Sequence, residues 1–141
     1  MTSDEKIIIY QVLPRLFGNK NKDLIPNGDL HENGCGKLAD FTTQALKQIV
    51  ALGANYIWYT AVIVHATQTD FSKEGIPLDH PAVVKGKAGS PYAIKDYYDI
   101  APALASKIDA RMKEFESLVK RSHKNGLKVI IDFVPKHVAR Q

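Results

Sequence analysis

Cysteine is nearly absent: Cys35 stands alone among 141 residues, so no internal disulfide can form. No apolar stretch approaches the roughly 20 residues that cross a bilayer, and the opening "MTSDEK" has no apolar leader core. Together these absences predict a cytoplasmic protein with no membrane partner. Internal repeats and low-complexity segments are missing, which leaves one ordinary globular domain as the expectation. A charge excess of one sign is missing too, because 15 acidic residues are interleaved with 19 Lys and Arg, for a net +4. The densest basic run, Lys120 to Lys128, closes a helical segment, where cations suit the helix dipole. No nucleic-acid-binding motif accompanies it, so no nucleic-acid partner is expected. The first apolar run is followed by "QVLPRLF" rather than a glycine-rich turn, which argues against a nucleotide-binding module. "NGCGK", residues 33–37, lacks phosphate-loop spacing and reads as a turn.

What is present is an alternation of strand and helix. Residues 7–12 are apolar and β-branched, a buried strand ended by Pro14, and residues 18–37 read as a loop. Leu38, Phe41, Ala45, Leu46, Ile49 and Leu52 keep helical spacing up to Gly53, which predicts helix one. Tyr56 to Val64 is a nearly continuous aromatic and β-branched run, a second buried strand. Residues 65–105 hold four of the seven prolines and no periodicity, a long loop of the kind that carries function. Helix two comes next, with Ser106 and Asp109 spaced as a capping box, Ile108, Met112, Phe115, Leu118 and Val119 as its stripe, and Gly126 as its end. Leu127 to Val134 is the third strand.

The order β-α-β-α-β with strands apolar on both faces predicts a parallel sheet of the α/β class. Three strands and two helices are too few for a doubly wound domain, and a complete eight-stranded barrel needs roughly 200 residues or more. The expectation is a partial (β/α)₈ barrel, and Asp132 and His137 should emerge where such barrels carry their chemistry.

Four segments then agree in order: "IIIYQVLPRLF", "LADFTTQALKQIVALGANYIWYTAVI", "GSPYAIKDYYDIAP" and "FESLVKRSHKNGLKVIIDFVPKH". They resemble the opening of the α-amylase family of glycoside hydrolases, over nearly the whole chain apart from residues 18–37 and 65–88. The resemblance implies residues 1–141 as the N-terminal portion of a catalytic barrel, with 65–105 as a β-to-α loop, acting on α-glucan oligosaccharides. It implies Tyr92 as an aromatic platform under a sugar ring, the other reading being a loop-packing tyrosine. It implies His137 as a partner of a sugar hydroxyl, against a solvated histidine, and Asp132 as an aspartate that orders basic groups in the cleft. Asp96 and Tyr97 match a pair read as structural, and His65 has no role carried over.

Two departures from the family pattern limit the activity that the resemblance implies. Lys136 stands where the family has a calcium-binding asparagine, and an ammonium with no acceptor repels a cation, so no calcium or other cofactor is expected. Glycosidic hydrolysis needs two carboxyl groups across the bond, and the family places them on strands four, five and seven, which have no counterpart here. The chain alone is therefore expected to be inactive. A non-catalytic carbohydrate-binding or scaffold protein is the alternative. On either reading, the chain's unfinished barrel face should make it self-associate, burying Ile130 and Phe133 or their neighbours between chains.

Overall fold

A computed structural model describes residues 5–136 and 138–139. Its centre is a three-stranded parallel sheet, β1 (Ile9–Val12), β2 (Tyr56–Tyr59) and β5 (Lys128–Ile131), with β2 in the middle. In register, Tyr10 aligns with Ile57 and Val129, and Gln11 with Trp58 and Ile130. Side chains alternate along a strand, so these rows face opposite ways. Val12, Ile57 and Tyr59 enter the core with Leu46 and Ile49 of α2 (Thr43–Ala51), Leu118 of α3 (Arg111–Lys124) and Leu127. Ile9, Gln11, Tyr56, Trp58, Lys128 and Ile130 form the other face, where a barrel interior would lie.

The core is knit by aromatics and one polar pair. Phe17 stacks on Phe41 with centroids 4.2 Å apart, and Phe41 meets Tyr59 edge-on. The Tyr59 hydroxyl bonds Ser122 Oγ at 2.7 Å, and Ser122 donates onward to the Leu118 carbonyl at 2.8 Å. Ser122 has only one hydroxyl proton, so Tyr59 is the donor of the pair.

The two main helices begin differently from the sequence expectation. Leu38 and Phe41 are buried as expected, but Leu38–Asp40 is a separate 3₁₀ turn, and α2 starts after Thr42, whose hydroxyl accepts from Ala45 N–H at 3.2 Å. Arg121 ties that turn to α3 through the carbonyls of Phe41 and Leu38. Leu52, placed on the apolar stripe from spacing, lies past the helix end and is 73% exposed. The Ser106–Asp109 capping box does not form. A 3₁₀ turn, Ile108–Ala110, leads into α3, and the Glu114 carboxylate reaches back to the N–H groups of Ser106 and Lys107, both at 2.8 Å. A capping box does form within residues 18–37, where Asp29 and Glu32 bracket the one-turn helix α1 (Leu30–Asn33).

The Tyr56–Val64 run is two strands. β2 stops at Tyr59, and the chain turns through Ala61, whose φ of +64° is a left-handed conformation that L-residues rarely adopt. It then enters β3 (Ile63–His65), which pairs antiparallel, with irregular register, to β4 (Ile94–Ile100). Residues 65–105 thus contain most of a second, two-stranded sheet. The loop between its strands is fixed by a buried ion pair, Lys95 Nζ to Asp79 Oδ1 at 2.9 Å, while Asp79 Oδ2 accepts from Thr67 N–H at 3.0 Å.

Candidate functional site

The carboxyl ends of β1, β2 and β5 meet at a small polar cluster. β5 stops pairing at Ile131, opposite Tyr59, so the next residue, Asp132, projects beyond the sheet. Its two oxygens are held separately: Oδ1 accepts from the Trp58 indole N–H and Oδ2 from the Ala61 backbone N–H, each at 3.1 Å. Thr60 N–H donates to the Val12 carbonyl at 2.9 Å, and Gln11 Nε2 donates to Thr60 Oγ1 at 3.0 Å, which locks the ends of β1 and β2 together. A carboxyl group fixed by two donors has lone pairs left for a further hydrogen-bond donor.

Tyr92 lies in the turn that enters β4. Ala93 N–H returns to the Ser90 carbonyl at 3.1 Å, and Ala66 beside β3 anchors the turn from both sides, donating to Ala93 and accepting from Ser90. Gly89 precedes it at φ +73°, where a Cβ would come within 1.8 Å of the Ala66 carbonyl oxygen, so only glycine permits this approach. Held in this way, Tyr92 is 47% exposed. The chain after Asp132 runs toward it: Ala139 N–H donates to the Ile94 carbonyl at 2.8 Å, and the Tyr97 hydroxyl donates to the Val134 carbonyl. Tyr97 therefore anchors the segment after β5 rather than its own loop, and Asp96 accepts from Tyr98 N–H within β4. Lys136 is exposed. His137 lies outside the described residues.

Trp58 and Ala61 were not singled out in the sequence. The signal for Trp58 was its indole N–H, a donor that needs a partner when partly buried in an apolar strand. Ala61 carries no such signal. His65 is half-buried, with Nδ1 3.0 Å from the Ile63 carbonyl; burial above all, and the nearby Arg15 charge, hold its pKa below the ordinary histidine value. No cluster of three or more His, Cys, Asp or Glu side chains able to hold a metal ion occurs among the described residues.

A family model described as the α-amylase catalytic domain matches residues 11–141. The chain belongs to that family. Among curated relatives of this α-amylase-family chain, the mouse (Mus musculus) amino acid transporter heavy chain SLC3A1 is 32% identical over 131 residues, 93% of this chain and 14% of that protein. An α-glucosidase of Apis mellifera is 27% identical over 137 residues, 97% of this chain and 18% of that enzyme. Among solved structures, the trehalose-6-phosphate hydrolase of Bacillus licheniformis superposes with a TM-score of 0.57 at 24% identity, over 94% of this chain and 17% of its own. The chain thus spans less than a fifth of the length of these relatives. Three parallel strands with their helices are the part of the α-amylase-type barrel that it contains.

Proposed function

We propose that this chain is the part of a glycosidase acting on α-glucans that forms one wall of the sugar cleft, with Tyr92 as the platform under a sugar ring, His137 as a hydroxyl partner and Asp132 as cleft support. The observation that carries this reading is Asp132, fixed at the end of β5 by Trp58 and Ala61 while its remaining lone pairs stay available for a donor. The exposed face of Tyr92, on a turn rigid enough to present it, supports the platform role. The 141 residues alone carry no hydrolysis in this proposal, and they associate through the uncovered sheet face.

Maltotriose titration followed by protein NMR, run beside a reducing-sugar assay, tests it. The expected result is saturable binding without turnover, weakened by Tyr92→Ala. Turnover that survives purification and is abolished by one substitution in this chain would overturn the inactive half of the reading.

A non-catalytic scaffold is the second reading, favoured by the 32% identity to a protein named as a transporter heavy chain and by Lys136 at the asparagine position. Absence of maltotriose binding by a correctly folded chain would favour it over the first.

A further inference from the structure

Between the β3–β4 sheet and the end of β1 lies a cavity of about 210 Å³, walled chiefly by Leu13, Phe71, Pro91, Pro102 and Leu104. Two basic side chains, Arg15 and His65, reach it, and no carboxylate lines it. Arg15 also borders a second cavity of about 230 Å³ beside Lys87, likewise without a lining carboxylate. The ion pairs among the described residues are Lys95–Asp79 and Arg111–Asp99, and Arg15 belongs to neither. Arg15 is half-buried, and its guanidinium makes no side-chain hydrogen bond among the described residues, so its donors are available to an anion.

The surroundings narrow the class of anion that would complete it. Phosphate needs many donors around its oxygens, yet the Thr67 and Thr69 hydroxyls already donate to the Lys87 carbonyl, at 2.6 and 3.3 Å. One planar guanidinium fork matches one carboxylate, and the apolar walls match an apolar body. The volume lies below the roughly 300 Å³ at which drug-sized sites begin, which limits that body to about one ring. We propose that this cavity is a binding site for a small monocarboxylate with an apolar body, its carboxylate held by the Arg15 guanidinium. The cavity borders the proposed sugar site through Ala61 and Pro91 but uses neither the Asp132 nor the Tyr92 side chain, so a failure of maltotriose binding leaves it standing.

Benzoate is the probe, with benzyl alcohol as its uncharged counterpart, and the His65 ring resonances report occupancy by NMR. The expected result is a saturable His65 shift with benzoate, binding about tenfold or more tighter than benzyl alcohol, the difference that a charge-assisted hydrogen bond makes. Arg15→Gln should remove that difference while leaving the alcohol's affinity unchanged. No saturable His65 shift with benzoate, equal affinity for the alcohol, or undiminished benzoate binding in a variant with a native amide spectrum would each overturn the proposal. Should Arg15→Gln fail to fold, the comparison of the two probes on the unaltered chain decides by itself.

Discussion

Asp132 shows how one residue's position is built from distant parts of the chain. Its donors lie more than seventy residues earlier, one the Trp58 side chain and the other the backbone N–H of Ala61. Hydrogen bonds to a charged acceptor contribute about 1.5–3 kcal/mol when well desolvated. Asp132 is only partly buried, so Trp58→Phe should cost about 1–2 kcal/mol in urea unfolding, and combining it with Asp132→Asn should cost less than the sum of the two. Strict additivity would show that the indole contact contributes nothing. Tyr59 makes a second, pH-dependent case. Burial pushes its phenol up to about 12 from 10, because the folded chain disfavours the phenolate. A folded-state pKa above the unfolded one means that the contribution is complete below pH 10 and is lost as pH rises from 10 through 12. Stability should therefore fall by roughly 2–3 kcal/mol across that window. Tyr59→Phe should flatten this part of the profile, and an unchanged alkaline slope in that variant would assign the loss elsewhere.

Among the elements, the β3–β4 sheet depends most on a single pair. The Lys95 and Asp79 side chains are each 4% exposed. Removing one partner of a buried pair leaves an uncompensated charge and costs about 3–5 kcal/mol, whereas replacing both with apolar groups can be neutral. Lys95→Met should lower the thermal midpoint sharply, and adding Asp79→Leu should recover most of the loss; a double variant no better than the single one would contradict this. This sheet is also where the sequence was least legible. The central strands were readable because their apolar runs are local, and the α2 and α3 stripes because Leu46, Ile49 and Leu118 keep a helical period. Ala61 gives no warning of a left-handed turn, since alanine favours neither that conformation nor a break, and so β2 and β3 merged into one run. The pairing of β3 with β4 is irregular in register and crosses a loop of nearly thirty residues, which no local pattern announces. Helix starts misled for a related reason. Leu38 and Phe41 fall at helical spacing although a 3₁₀ turn precedes α2, and Glu114, deep in the first turns of α3, takes over the N–H groups that a local cap would have satisfied. At the site, Asp132 and Tyr92 could be nominated from their segments, but their supports could not, because each is a contact between elements.

For the whole molecule, the decisive feature is a sheet covered on one face only. α2 and α3 bury Val12, Ile57 and Tyr59, while β1 and β5 remain edge strands and the opposite face presents Ile9, Trp58 and Ile130. Residues 65–105 do not close that face: β4 is tied to the segment after β5 through Tyr97 and Ile94, and Ile9 remains 48% exposed; beyond the end of β5, Phe133 is 76% exposed. Phe133 lies tilted against the Tyr97 ring, with centroids 6.1 Å apart. Unpaired parallel edges beside exposed apolar side chains favour association, because a second chain removes both liabilities at once. Light scattering across a wide concentration range should show a mass that rises above 15.7 kDa with concentration. Ile9→Lys and Phe133→Lys together should shift the population toward monomer without lowering the melting midpoint, since neither side chain belongs to the core. A monodisperse monomer with a cooperative melt at every concentration would instead mean that the barrel-facing surface is stable in water, held by the polar members of its rows, Gln11 and Lys128, and needs no partner.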